Sequence, residues 1–317
     1  MPEIPAPKLN SRERHSLPER DVKQVAVLPE GDAGYAEIHC LTNYSFLQAA
    51  SHPDELVQRA AELRYNALAI TDRHSLAGVV RAHAAAKPLG LKLLIGAEVT
   101  PQESPSVVFL ATDRAGYGRL ARLLTVGKRR APKGECHLGF DDVAQYSDGL
   151  LACVLFDERE PERHTTNLHL WRDAFGDRCS LVARQNLGPH DGWLLRQYRD
   201  ISQQVRLPLV ASNGVLYHEP GRRYLHDVLA AIRLGCTVSE LGSHRGTNGE
   251  RHLKPGNELR HLFASCPEAI ERTVEIADRC TFSLDELKYE YPEELSPQGE
   301  TPLSPSSPDP APTCPAA

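Results

Sequence analysis

Residues 35–100 read YAEIHCLTNYSFLQAASHPDELVQRAAELRYNALAITDRHSLAGVVRAHAAAKPLGLKLLIGAEVT. Short apolar runs alternate here with stretches of helical spacing, giving strand, helix, strand, helix, strand. Each strand ends on an ionisable residue: His39, Asp72 and Glu98. A parallel α/β barrel carries its chemistry at the C-terminal ends of its strands, so three metal-capable side chains there mark where an active site belongs.

The local signals sharpen this pattern. Ser51, Pro53, Asp54 and Glu55 form a helix N-terminus, with acids in the first turn, and Leu56, Val57, Ala60 and Leu63 follow at helical spacing. Residues 67–71 form a buried strand. A helix is predicted over 76–87, broken by Pro88 and Gly90 before a strand at 91–99. Strands are predicted at 107–112, 150–156, 179–183 and 207–212, and helices at 117–126, 168–175, 193–205, 222–233 and 267–280. Six or seven such units imply an α/β fold with a parallel sheet, closed into a barrel and followed by additional C-terminal helices. The domain is placed at 35–290. Residues 1–34 read as a flexible leader, and the Pro/Ser-rich residues 291–317 bury too little apolar surface to offset ordering and read as a disordered tail.

The net charge of −6 advertises no nucleic-acid binding, although a local basic groove is compatible with it. No apolar run reaches membrane-spanning length and no signal peptide opens the chain, which predicts a cytoplasmic protein without a membrane partner. The eight cysteines are scattered without a C-x-x-C pair, so neither a zinc ribbon nor a disulfide framework is expected. Cys40 adjoins His39 and should face the opposite way. Lys128, Arg129, Arg130 and Lys133 form a basic cluster, read either as phosphate-backbone contacts or as a solvated loop.

Seven runs carry a family resemblance: YAEIHCLTNYSFLQAASHPDELVQRAAEL, LAITDRHSLAGVVRAHAAAK, LIGAEV, ATDRAGYGRLARLLT, GKRRAPKGE, RHLKP and CTFSLDELKYEYPEELSPQGETP. In this order, over about residues 35–302, the chain resembles the polymerase and histidinol phosphatase (PHP) domain at the N-terminus of bacterial error-prone DNA polymerases, relatives of the polymerase III alpha subunit. The resemblance implies a distorted seven-stranded α/β barrel binding up to three metal ions, Zn, Mn or Mg. It implies ligands from H-x-H on the first strand, T-D-H after the second, Glu on the third, further His or Cys residues, and D-x-H on the last. Shared carboxylates and several cations would there activate water and stabilise phosphoryl oxygens.

Carried over by position, the pattern is incomplete. His39 fits the first H, but Leu41 takes the second; Asp72 fits T-D-H, but Arg73 takes its His; Glu98 fits. Gly214 and Leu216 stand where D-x-H would fall, and Gln48 replaces a loop aspartate. His74 and His218 are the weaker substitutes. The expectation is therefore a degenerate site with no cofactor, in which Arg73 pairs with Asp72 or Glu98 in place of a cation.

The resemblance implies that longer relatives are nucleotidyltransferases for DNA replication, DNA-damage repair and translesion synthesis. The polymerase palm is absent from this sequence, which resembles the family only to about residue 302, so a truncated or split product is expected. Its partners would be a polymerase body, mutasome components or DNA. The alternative is an active metal-dependent phosphoesterase or 3′→5′ exonuclease using His39, Asp72 and Glu98; a partner-binding module is a third reading.

Overall fold

The computed structural model describes residues 34–156, 161–246 and 248–287. Apolar runs form seven strands that neighbour one another in chain order: β1 (Ala36–Glu37), β2 (Ala67–Ile70), β3 (Lys92–Val99), β4 (Val107–Ala111), β5 (Leu150–Leu155), β6 (Cys179–Arg184) and β7 (Leu209–Ser212). Between and after them lie α1 (Pro53–Glu62), α2 (Val79–Leu89), α3 (Arg114–Arg130), α4 (Phe140–Gln145), α5 (Pro161–Phe175), α6 (Asp191–Val205), α7 (Arg223–Leu234), α8 (Gly256–Leu262) and α9 (Pro267–Arg279). The leader expected at 1–34, Gly34 excepted, and the tail expected at 291–317 lie outside the described residues.

The sheet is mostly parallel, and one strand corrects the wholly parallel expectation: β4 runs antiparallel to both β3 and β5. Only residues 100–106 join β3 to β4, and they include Pro101 and Pro105. That is too short for a crossover, which needs about a dozen residues, so the chain turns back on itself. Beyond the two-residue β1, the ring nearly closes. Cys40 bridges Val215 in parallel, with Leu41 N–H donating to the Val215 carbonyl and Val215 N–H to the His39 carbonyl, both at 3.0 Å. The fold is a distorted seven-stranded α/β barrel.

Alternate residues separate two apolar layers, as the pleat requires. Ile38, Ala67, Ala69, Leu94, Val108, Leu110, Leu151, Cys153, Val182 and Val210 pack with Ile276 and Ala277 of α9 and with Cys280, which caps it. Leu68, Ile70, Phe109, Val154, Leu181 and Ala211 belong to the second, larger cluster, which includes Trp171, Phe175 and Tyr198 from the helices. Each large aliphatic side chain removed from water contributes about 1.5–3 kcal/mol, so these layers hold the strand ends that carry the polar site. Cys40 packs in the second cluster.

Three boundaries differ from expectation. The α1 N-cap is His52, whose N–H donates to Glu55 Oε2 at 2.9 Å, while Ser51 turns toward His218. In α2 the chain accommodates Pro88 in the last turn and ends at Gly90 in the left-handed region. Helix α3 extends to Arg130, so Lys128, Arg129 and Arg130 occupy its last turn rather than a loop, where the helix dipole favours cations.

Candidate functional site

Glu98, near the end of β3, is pinned by its backbone: its N–H faces the Thr71 and Asp72 carbonyls, and its carbonyl accepts from His74 N–H at 2.8 Å. Its buried carboxylate meets two cationic or donor groups. His39 Nε2 lies 3.0 Å from Oε2, and Arg73 approaches Oε1 through Nε at 3.0 Å and Nη2 at 2.6 Å. Burial alone would raise this carboxyl, but the His39 ring and the Arg73 guanidinium outweigh it and hold the group at about 2. A carboxylate so ionised accepts, so His39 Nε2 carries the proton; His39 Nδ1 is buried without a hydrogen-bond partner.

Asp72 is placed elsewhere. It accepts from Thr42 N–H at 2.8 Å, from Thr42 Oγ1 at 2.9 and 3.0 Å, and from Ser45 Oγ at 2.7 Å. Burial raises its pKa, although these donors oppose the rise. Gly78 leaves room for this arrangement, since a Cβ there would sit 2.4 Å from Asp72 Oδ2. Thus the structure brings His39 and Glu98 together and turns Asp72 into the 42–45 turn.

The two weaker histidine candidates are also engaged away from that pair. His74, at φ +50°, accepts from Thr100 N–H through Nε2 at 3.0 Å. Burial and Arg73 hold its pKa down, in keeping with an acceptor nitrogen. His218 Nδ1 lies 2.8 Å from Ser51 Oγ and its N–H donates to the same oxygen at 3.0 Å. Among the described residues no group of three or more His, Cys, Asp or Glu is arranged to hold a metal ion. Leu41 and Leu216 share an apolar cluster on the same cavity wall. Gly214 is at φ +56°, and a Cβ there would meet Arg251 and Arg184 at 3.1 and 3.2 Å. The described residues therefore do not fit the multinuclear centre that the resemblance implies.

What they do form is a basic cavity of about 640 Å³. His39, Glu98 and Arg73 lie on its wall with Gln48, Leu41 and Leu216, and four more arginines face it: Arg184, Arg223, Arg233 and Arg251. Its other carboxylate, Asp227, is 3.0 Å from Arg245 Nε and 3.9 Å from Arg223 Nε. Arg251 donates to the Gly214 carbonyl at 2.7 Å, and burial followed by the charge of Arg184 lowers its pKa to about 10. His226, also on the wall, is held below its ordinary value by burial and Arg251. These arginines escaped sequence reasoning because Arg184, Arg223 and Arg251 are far apart in the chain and form no motif. The available clue was arginine at a strand's C-terminal end, which Arg184 satisfies.

In the basic cluster, Arg130 pairs with Asp142 at 2.7 Å, while Lys128 and Arg129 have no ion pair among the described residues.

Comparisons with known proteins bear on the family of the chain. The PHP domain family model matches residues 37–169. The chain is 44% identical over 279 residues to the error-prone DNA polymerase of Rhodopirellula baltica, covering 85% of this chain and 24% of that protein. It is 48% identical over 275 residues to the error-prone DNA polymerase of Aromatoleum aromaticum, covering 85% and 26%. An amidohydrolase structure from Chromobacterium violaceum, with bound sulfate and no metal, overlaps 56% of this chain and 86% of its own at 18% identity and TM-score 0.40. The chain spans about a quarter of the length of the curated relatives it matches. No helix among the described residues is long and apolar enough to cross a membrane. With the motif-bearing strands, the barrel and these relatives in agreement, the chain belongs to the PHP domain family, in the form found in error-prone DNA polymerases.

Proposed function

We propose that this PHP domain is a catalytically degenerate scaffold of an error-prone DNA polymerase, supporting DNA-templated synthesis across damage without hydrolysing phosphoesters itself. The observation that carries the reading is Arg73 seated on Glu98, two N–H groups on one carboxylate oxygen, where a cation would otherwise need that carboxylate. Asp72, spent on Thr42 and Ser45, has little acceptor capacity left for a metal.

A scaffold needs a surface for its partner. Tyr224, Val228 and Ile232 recur every fourth residue on α7 and are 73%, 43% and 60% exposed, an apolar stripe suited to the polymerase body that fills the other three quarters of the relatives. Lys128, Arg129 and Lys133 are offered as sequence-independent contacts to DNA phosphates. The α7 stripe is tested by mixing the chain with a separately expressed polymerase body. Tyr224→Asp with Ile232→Asp is expected to abolish co-elution, and undiminished co-elution would remove α7 from the interface.

The decisive test is metal titration with Zn²⁺ and Mn²⁺, together with hydrolysis of p-nitrophenyl phosphate and single-stranded DNA. No stoichiometric tight binding and no metal-dependent turnover are expected. Turnover abolished by Glu98→Gln would overturn the scaffold reading in favour of a phosphoesterase or 3′→5′ exonuclease.

A further inference from the structure

We propose that the basic cavity is a metal-independent receptor for an oligophosphate anion, one bearing at least two adjacent phosphoryl groups. Five arginines line it, Arg73, Arg184, Arg223, Arg233 and Arg251, against the two carboxylates Glu98 and Asp227. Five positive less two negative charges leave an excess of three with the histidines neutral. Both carboxylates are already engaged, Glu98 by Arg73 and His39 and Asp227 by Arg245 with Arg223. Arg184, Arg233 and Arg251 have no carboxylate partner among the described residues and carry that excess, while Arg245 adds a further positive charge beside Asp227 from outside the lining.

Arg184 and Arg251 pack around the same glycine, with Arg184 Cδ and Arg251 Nη2 3.2 and 3.1 Å from where a Gly214 Cβ would stand. Like charges held together in a partly desolvated wall repel, and the cost is visible in the Arg251 guanidinium, which burial and Arg184 bring down to about 10. An anion between them relieves that repulsion. Guanidinium forks match phosphoryl oxygens in geometry and outlast pH changes that would neutralise lysine. A terminal phosphoryl group carries about 1.5 to 2 negative charges near neutral pH, so two adjacent groups balance the excess of three where one does not. The volume of about 640 Å³ lies within the range of small-molecule sites. Leu41, Leu216 and Tyr217 add an apolar wall on which a nucleoside attached to the phosphates can rest.

This receptor goes beyond the scaffold reading and fails separately from it, because binding is measured with EDTA present. The purified chain is titrated calorimetrically with inorganic pyrophosphate, tripolyphosphate, dATP, orthophosphate and a 5′-phosphorylated single-stranded oligonucleotide. Pyrophosphate and tripolyphosphate are expected to bind at least tenfold more tightly than orthophosphate. Tighter binding of dATP than of tripolyphosphate identifies a nucleotide as the source of the phosphates; equal binding identifies the phosphate chain alone. Arg184→Gln and Arg251→Gln should each weaken binding at least tenfold, with circular dichroism confirming the fold; Arg196→Gln on the exposed face of α6 should leave it unchanged. No saturable heat, equal affinity for orthophosphate, binding of the oligonucleotide alone, or affinity unchanged in Arg184→Gln would overturn the proposal. Binding that appears only with added Mn²⁺ or Zn²⁺ would overturn both this proposal and the scaffold reading.

Discussion

Glu37 and His39 stand two residues apart where the barrel begins, and both are buried, but they serve clusters built on opposite terms. Glu37 lies at the seam between the first and last strands. It accepts from Tyr35 Oη at 2.8 Å, His39 N–H at 3.0 Å, Ser212 Oγ at 2.5 Å and Asn213 N–H at 3.0 Å, so its roughly four acceptor positions are filled. Asn213 in turn accepts from the buried Lys254 ammonium at 3.1 Å, and Lys254 pairs with Glu250 at 3.3 Å. At the mouth, His39 Nδ1 has no partner and Arg184 has no carboxylate among the described residues. A polar network that is satisfied throughout joins strands, whereas one with charge left over keeps it for a ligand.

The contrast breaks first at Glu37. Glu37→Ala leaves four donors facing a void and is expected to lower unfolding free energy by about 3–5 kcal/mol in urea titration. A loss below about 1 kcal/mol would show that the seam is held by its apolar layer alone. The next effect in size belongs to Glu98. Its folded pKa of about 2 lies below the ordinary 4.5, so the stability it contributes is complete above the unfolded value and drains away as pH falls from about 4.5 to 2. Glu98→Gln should therefore cost about 2–3 kcal/mol at pH 7 and almost nothing near pH 2. An acid limb as steep in the variant as in the wild type would place that pH dependence in other carboxyls.

Asp72 sharpens the comparison, because it was expected at the mouth yet is bonded like Glu37. Gly78→Ala would set a methyl 2.4 Å from Asp72 Oδ2 and 2.9 Å from Thr42 Oγ1, forcing this turn to shift at a cost of about 1–3 kcal/mol. Its thermal midpoint should fall while anion binding at the mouth persists. Loss of binding in a folded Gly78→Ala protein would instead couple Asp72 to the cavity.

The barrel was legible because its signals are local. Ala67–Ile70 and Val107–Ala111 read as buried strands from composition alone, and the strand-end positions of His39 and Glu98 followed from spacing. The reversal of β4 was present in the short, proline-bearing 100–106 connection but was hidden by the surrounding alternation. The fate of Asp72 was not legible, since one hydroxyl pair, Thr42 and Ser45, decided it against the metal pattern. Nor was the basic wall. Gly214 at φ +56° marks a missing ligand in sequence, but only the folded chain shows Arg184 and Arg251 filling the space.

The smallest expected effect is the most discriminating. The Arg184 side chain forms no hydrogen bond or ion pair among the described residues, and its charge crowds Arg251. Replacing it with Gln removes a repulsion and breaks no bond, so unfolding free energy at pH 7 should stay within about 0.5 kcal/mol of wild type or rise slightly. Beside the loss expected for Glu37→Ala, this near-neutral outcome would separate residues retained for the fold from one retained for what it binds. If Arg184→Gln instead destabilised the chain by 2 kcal/mol or more, Arg184 would belong with the seam, and the excess charge at the mouth would be structural.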